Sequence, residues 1–311
     1  MSRCLVIGGN GFVGSHVVDA LARDGHDVRV FDRFSNGRAR FEAGNVERVT
    51  GDFMNVGEVK EAVRDREIVF HFLSTTTPAT AEIDPLLDVR TNITSSIELF
   101  RACAELGVEH VYFASSGGAI YGDTSAVSLS ESTTPNPISP YAIGKLTIEG
   151  YLRYFGRTAG LRSTALRISN PFGPRQHRDR KQGVIPIFLR SIARGEPIVV
   201  YGDGSMVRDY IYVEDVADMI CAMVGKPSAG PVVNIGSGTP YSVNEIVDVV
   251  AAVTGIQPMT ERRATPPTFV ERVVLDTSTY RSHFGTPKHT PLREGIEATW
   301  ASLMTEMSIL V

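Results

Sequence analysis

The sequence lacks the features that mark several whole classes of protein. Its three cysteines, Cys4, Cys103 and Cys221, are odd in number and far apart. No spacing suggests a disulfide framework, a metal knuckle or a redox pair, and a reducing cytoplasm is the expected setting. The histidines at positions 16, 26, 71, 110, 177, 283 and 289 show no i,i+3 or i,i+4 pairing and have no cysteine beside them. No metal site is therefore expected. No GxSxG elbow is present, so acyl-transfer chemistry lacks its nucleophile. No apolar run approaches the roughly 18 residues of a membrane span, and the opening MSRCLVIGGN does not read as a signal peptide. Neither sign of charge dominates: 31 Lys and Arg stand against 35 Asp and Glu, a net −4. Such a balance is a poor match for nucleic acid or an anionic membrane. The one basic cluster, Arg175, Arg178, Arg180 and Lys181, includes Asp179 and reads as a solvated loop that covers a substrate. Internal repeats and low-complexity tracts are also missing.

What is present is an ordinary globular composition, 42% hydrophobic and 21% charged over 311 residues. That is enough chain for about two domains with a sizeable core. Strand-like runs at Arg3–Ile7, Asp27–Asp32, Val46–Thr50, Glu67–Phe72, Val108–Ser115 and Leu161–Ile168 alternate with helical patterns. The helices fall at Phe12–Asp24, Val56–Asp65, Leu86–Leu106 and Tyr141–Ala159. Strands separated by helices imply right-handed crossovers, hence a doubly wound parallel α/β sheet covered on both faces. After Ile168 the rhythm changes. The loop SNPFGPRQHRDRKQG is followed by a helix at Val184–Gly195, a strand at Ile198–Tyr201, a helix near Glu214–Val224, and a strand at Val232–Ile235. The next helix is opened by Ser242 and Glu245 at capping-box spacing. This region reads as a smaller, discontinuous α/β substrate domain. The expected division is 1–169 with 209–237 for the first domain, and 170–208 with 238–311 for the second.

Three segments carry chemistry. Gly8-Gly9-Asn10-Gly11-Phe12-Val13-Gly14 lies between the first strand and the first helix. Gly8 suits a backbone turn that a side chain would obstruct, Gly11 admits a pyrophosphate, and Gly14 permits close helix–strand packing. The helix N-terminus then offers unpaired N–H groups to phosphate. Asp32 ends the second strand, placed to accept from an adenosine ribose and to repel a 2′-phosphate. That favours NAD over NADP, with Arg33 next door as the opposing charge. Together these features predict a Rossmann-type dinucleotide site. Gly51-Asp52-Phe53 either flanks the adenine or simply closes the third strand.

The second segment is Tyr141-x-x-x-Lys145 at the start of a helix, where i,i+4 spacing puts phenol and ammonium on one face. Only about 0.1% of a free tyrosine is ionised at pH 7. An ammonium about 4 Å away is worth roughly 4 kcal/mol at an effective dielectric near 20, and together with a nicotinamide cation it would make the phenol a usable base. A surface helix with the same spacing is the plainer alternative. The third segment, Ala114-Ser115-Ser116-Gly117-Gly118-Ala119-Ile120-Tyr121-Gly122, closes the fifth strand. Its hydroxyls either face the crevice where ligands bind or belong to an ordinary Ser/Gly turn.

In this order the three segments resemble the extended short-chain dehydrogenase/reductase family, and within it the UDP-galactose (UDP-glucose) 4-epimerases. The resemblance covers nearly the whole chain. It extends through Leu166–Gln176, the run from Tyr201 to Ala217 that contains Arg208-Asp209-Tyr210, Val233–Gly236, and Leu275–Ser278. It implies that Tyr141 is the proton acceptor, that Lys145 holds the nicotinamide ribose, and that Ser116 hydrogen-bonds the sugar. Phe12 and Val13 would sit in the cofactor turn, and Leu73, Ser74 and Thr75 would line the cofactor. Asn170, Val184, Tyr201 and Arg208 would meet the nucleotide sugar, Arg208 through phosphate. Each also has a plainer reading: Val184 as helix core, Tyr201 as strand packing, Arg208 as an ion pair with Asp209 or Asp215.

Three departures accompany the resemblance. The family's usual hydroxyl position, four before the YG tyrosine, is Gly117 here, so Ser116 takes the role with an offset and Ser115 is the fallback. Gly117, Gly118 and Ala119 supply none of the acidic residues that dehydratases and decarboxylases place there. The late diphosphate segment reads Pro266-Pro267-Thr268-Phe269-Val270-Glu271-Arg272, which leaves either Arg272 in compensation or a substrate bound differently. The expectation is an NAD-dependent 4-epimerase of a UDP-linked hexose, cytoplasmic and homodimeric. The alternatives are a nucleotide-sugar reductase or dehydrogenase, and a noncatalytic NAD-sensing regulator.

Overall fold

The computed structural model describes residues 1–35, 37–124, 126–176 and 182–308. Of the basic loop, Arg178, Asp179, Arg180 and Lys181 lie outside the described residues, as does His177. The chain begins β1 (Arg3–Ile7), α1 (Phe12–Arg23), β2 (Asp27–Asp32), β3 (Glu47–Thr50), α2 (Val56–Val63) and β4 (Ile68–His71). Short helices α3 (Pro78–Ile83) and α4 (Pro85–Asp88) lead through a π turn at Val89–Ile93 into α5 (Thr94–Glu105). Next come β5 (His110–Ser116), α6 (Pro140–Ala159), β6 (Ser163–Ile168), β7 (Asn170–Phe172), α7 (Val184–Ala193) and β8 (Ile198–Tyr201). The chain continues with β9 (Val207–Tyr212), α8 (Val213–Cys221), β10 (Val232–Ile235), β11 (Pro240–Ser242) and α9 (Val243–Thr254). It closes with β12 (Thr260–Arg263), β13 (Arg272–Val273), α10 (Ser278–Phe284) and α11 (Leu292–Ser308).

Seven strands form one sheet in the order β10-β6-β5-β4-β1-β2-β3, and every neighbouring pair is parallel. This is the doubly wound sheet the strand–helix alternation predicts. A parallel sheet needs both faces covered, and β1 shows how four consecutive apolar residues serve that need. Cys4 and Val6 enter a core with α1 and α8. Leu5 and Ile7 face the opposite way, into a core with α2, α5 and α6. The order reverses between β1 and β4, so their carboxyl ends open the crevice in which such sheets bind ligands.

A smaller sheet sits beyond it. β9 pairs with β7, β11 and β13, while β8 pairs with β12. A third apolar core under α7, α9 and α11 supports this region. The whole of β9 lies in the small sheet, so a boundary at 209 would cut a strand. Tyr280 on α10 belongs to the core of the large sheet, although it falls in the segment 238–311.

The single helix expected over Leu86–Leu106 is three pieces. Asn92 and Thr91 turn inward to hydrogen-bond Asp88, Thr75 and Thr76, and the wider π turn accommodates them. Elsewhere the expected ends differ by a few residues, as fraying termini do. The sequence pattern predicts no element at β7, β9, β11, β12, β13, α3, α10 or α11, and β7 lies in the segment expected to be a loop.

Candidate active site

The cofactor end is built from close approaches that only glycine allows. Gly8 has φ +80°, and a Cβ there would lie 2.6 Å from the Leu73 nitrogen. At Gly14 a Cβ would lie 2.3 Å from the Gly8 carbonyl oxygen, so α1 presses against the end of β1. Gly11 is the N-cap of α1 with no side-chain cap bond, which leaves the first N–H groups of the helix, from Phe12 and Val13, for an anion. A pyrophosphate fits this cradle. Asp32 closes β2 and accepts from the Asn10 backbone at 3.0 Å and the Arg33 backbone at 2.7 Å. The Arg33 guanidinium is clasped by Asp52 at 2.9 and 3.1 Å, and the Met54 N–H and Arg33 together hold the Asp52 carboxyl below its usual range. Asp52 is thus tied through Arg33 to the end of β2, whereas the ring of Phe53 is buried in the core, 5.0 Å from the His71 ring. Leu73, Ser74 and Thr75 follow β4 beside the glycine turn, with the Thr75 N–H donating to Asn92 Oδ1 at 2.9 Å.

At the other side of the crevice, Tyr141 and Lys145 lie on the first turns of α6. Ser139 caps that helix through the Ala142 N–H. The Lys145 ammonium donates to the Ala114 carbonyl on β5 at 2.8 Å and lies over the rings of Phe113 and Tyr141 at 4.8 and 5.7 Å. Burial pushes Lys145 down to about 8, against the opposing pull of Asp88 and then Glu149. Ser115 is spent: its hydroxyl donates to Glu149 at 2.6 Å in a buried cluster. Ser116, half-buried at the end of β5, has no such bond among the described residues. Gly117 explains the family offset, because a Cβ there would lie 2.6 Å from Leu275 and 2.9 Å from the Arg167 carbonyl. A side chain at 117 would require Leu275 and the end of β6 to shift.

The residues expected to meet a nucleotide sugar come from the small sheet and its edges. Asn170 donates to the Asp209 carbonyl at 2.9 Å and lies against Gly118. Val184 opens α7 and packs on the third core. Tyr201 ends β8 with the Phe269 ring edge-on at 5.2 Å. Arg208 pairs with neither Asp209 nor Asp215. Its guanidinium donates to the carbonyls of Val207 at 2.8 Å, Glu271 at 3.2 Å and Val270, and burial lowers its pKa. Among the described residues this half-buried cation has no carboxylate partner. Arg272 is bound to the Val127 carbonyl at 3.1 Å.

Two residues escaped the sequence reading. Glu149 lies four residues beyond Lys145 and receives two bonds from Arg167, at 3.1 and 2.8 Å. Asp88 is buried near the same lysine. A charged residue on the apolar face of α6 was the available signal for Glu149; Asp88 gave none. Among the described residues no group of His, Cys, Asp and Glu is disposed to hold a metal ion, and no helix is long and apolar enough to cross a membrane.

Residues 4–236 match the NAD dependent epimerase/dehydratase family. The chain belongs to that family. Within this epimerase/dehydratase family, the UDP-glucose 4-epimerase of Mycolicibacterium smegmatis is 33% identical over 310 residues, spanning 96% of this chain and 97% of that one. The UDP-glucose 4-epimerase of Thermotoga maritima, solved with UDP-glucose, superposes with a TM-score of 0.91 at 34% identity over 98% of this chain and 99% of that one. The Thermus thermophilus UDP-glucose 4-epimerase, solved with NAD, gives 0.90 at 33% identity over 97% and 99%.

Proposed function

We propose that this enzyme interconverts the 4-epimers of a UDP-hexose, UDP-glucose and UDP-galactose first, with NAD as its resident cofactor. The observation that carries the reading is the Tyr141–Lys145 pair, tied near the end of β5 close to Ser116, on the second strand from the reversal point between β1 and β4. Gly8, Gly11, Phe12, Val13 and Gly14 would hold the pyrophosphate of NAD. Asp32 and Asp52 would hold the adenosine end, with Leu73, Ser74, Thr75 and Lys145 toward the nicotinamide. When bound, NAD supplies the acceptor and donor for the hydride at carbon 4 of the sugar.

The protein groups do the rest. Tyr141 takes the proton of the 4-hydroxyl at its phenolic oxygen and later returns it, and the Lys145 charge favours that removal. Ser116 orients the hydroxyl. Arg208, which has no carboxylate partner among the described residues, offers its cation to the diphosphate, and Asn170, Val184, Tyr201 and Arg272 complete the nucleotide side. A 4-keto sugar that turns about its diphosphate link then presents both faces of carbon 4. Gly117, Gly118 and Ala119 supply no acid for elimination, which supports epimerisation.

In this reading the NAD half comprises residues 1–169 and 213–237, and the sugar half 170–212 and 238–311, with α10 packed back on the large sheet. Leu86, Leu87, Val89, Ile143, Tyr151 and Tyr154 are exposed along α4, the π turn and α6. They support a homodimer through these helices. Three buried free thiols accord with a cytoplasmic setting.

The test is incubation with UDP-glucose, UDP-N-acetylglucosamine and UDP-glucuronate separately, with catalytic NAD, proton NMR of the products and NADH absorbance in parallel. A 4-epimer without net NADH is expected. Steady NADH would replace the epimerase by a dehydrogenase, and silence on all three would overturn the reading. Tyr141→Phe should cut turnover about 10²–10⁴-fold, the usual weight of a general base, while NAD stays bound.

A further inference from the structure

Two carboxylates, Asp88 and Glu149, influence the buried Lys145 ammonium, and their own surroundings differ sharply. Glu149 is 2% exposed. Arg167 grips both of its oxygens and Ser115 donates to one, so its charge is cancelled where it stands. Asp88 is 4% exposed and has no such cation among the described residues. Its Oδ1 accepts from the Thr76 hydroxyl and from the Asn92 amide at 2.8 Å, both neutral donors. Its Oδ2 is turned toward α6: a Cβ on Gly144 would lie 2.1 Å from it. Gly144 directly precedes Lys145 and lies one turn after Tyr141. A glycine at this point is what lets the carboxylate reach the helix.

An ammonium buried against a carbonyl and two aromatic rings is costly to keep charged unless an opposite charge is near. Asp88 is the carboxylate free to serve. It also reaches the cofactor side, since Asn92 bonds the Thr76 hydroxyl at 2.8 Å and accepts from both the N–H and the hydroxyl of Thr75.

We propose that Asp88 is the counter-charge of Lys145 and a positioning residue of the active site, holding the ammonium beneath Tyr141 while pinning Thr75 and Thr76 beside the cofactor. The proposal rests on the epimerase reading above.

Asp88→Asn keeps an oxygen for Thr76 and Asn92 and removes only the charge. The groups that face Lys145 are Asp88 from α4, Glu149 with Arg167 from α6 and β6, Tyr141 from its own helix, and His71 from β4. His71 is held neutral by burial, at about 3, and stays silent above pH 6. In the variant, the alkaline limb of kcat for UDP-glucose should move to lower pH by about half a unit to one unit, with KM changed less than about twofold. Asp88→Glu should move the limb back. A purely structural role would lower stability or kcat without sliding the limb, and an unmoved limb overturns the proposal.

If Asp88→Asn does not fold, Gly144→Ala displaces Oδ2 and should move the limb the same way; no shift there overturns it equally. A second readout needs no turnover. In protein labelled with ¹³Cε-lysine, the Lys145 resonance, assigned through Lys145→Arg, should titrate at lower pH in Asp88→Asn than in the wild type. An inactive wild type would strike at the epimerase reading alone, whereas an unshifted Lys145 titration would strike at Asp88.

Discussion

The large sheet and the small sheet of this enzyme use different materials. In the large one, β1, β2, β4, β5 and β6 bury apolar side chains on both faces, and Val111, Phe113 and Leu166 are fully covered. In the small one, β7, β11 and β13 are two or three residues long, too short to bury much area each. Their order depends on Asp209, a fully buried carboxylate on β9. It accepts from Ser237 through N–H at 2.9 Å and hydroxyl at 2.7 Å, from Gly238 at 3.0 Å, from Leu275 at 3.3 Å and from Ser169 at 3.3 Å. Burial pushes the Asp209 carboxyl up, and these donors push it back. Apolar area accounts for the large half, while the small half adds hydrogen-bond closure around Asp209 to its own apolar core. Each half should therefore fail in its own way.

Acid should act most strongly, and on the large half. His71, His110 and His16 lie on β4, β5 and α1. Burial holds them neutral, His71 down to about 3 and the other two down to about 4. The unfolded chain would protonate them near 6.5. Between those values the unfolded state binds protons that the fold does not, so stability is fully present above about pH 6.5 and falls as the pH drops toward 4. The slope should reach about 1.4 kcal/mol per pH unit for each histidine. Urea unfolding between pH 7.5 and 5 measures it. A flat profile would mean that these side chains are charged in the fold.

Asp209→Ala should cost about 3–5 kcal/mol, because it leaves several buried donors without an acceptor. The loss should localise: limited proteolysis is expected to cut within 238–308 before it cuts within the large sheet. Uniform cleavage would show that the two halves unfold together and that the contrast between them has no energetic content.

The same contrast governs what the sequence discloses. The large sheet repeats a local signal, a short apolar run followed by an amphipathic helix, so its strands and the glycine turn can be read residue by residue. Asp32, Tyr141 and Lys145 follow because each sits at a fixed place on such an element. β9 hides because Arg208 and Asp209 interrupt its apolar pattern, and the donors that make a buried aspartate tolerable come from Ser169, Ser237, Gly238 and Leu275. Asp88 hides for the same reason. Its neighbours Thr76 and Gly144 are distant in sequence, and the π turn that aims Asn92 at it leaves no mark on a helical periodicity. Gly117 is the reverse case. The motif position was legible, but the reason for the missing hydroxyl was the Leu275 side chain, over a hundred residues away.

The smallest expected effect is also the most specific test of the division of labour. Among the described residues Arg208 is held by three carbonyls and by no carboxylate, so removing it exposes no unpaired negative charge there and should leave the fold nearly intact. A charge-assisted bond to phosphate is worth roughly 1.5–3 kcal/mol. Arg208→Ala should accordingly raise KM for UDP-glucose about 10–100-fold while NAD affinity, measured by calorimetry, stays within about twofold. Arg208→Lys should fall between, since an ammonium cannot span the carbonyls and a diphosphate as a planar guanidinium does. If NAD affinity dropped in step with the sugar nucleotide, Arg208 would be acting through the shape of the whole crevice. The two sheets would then form one site rather than a cofactor half and a substrate half.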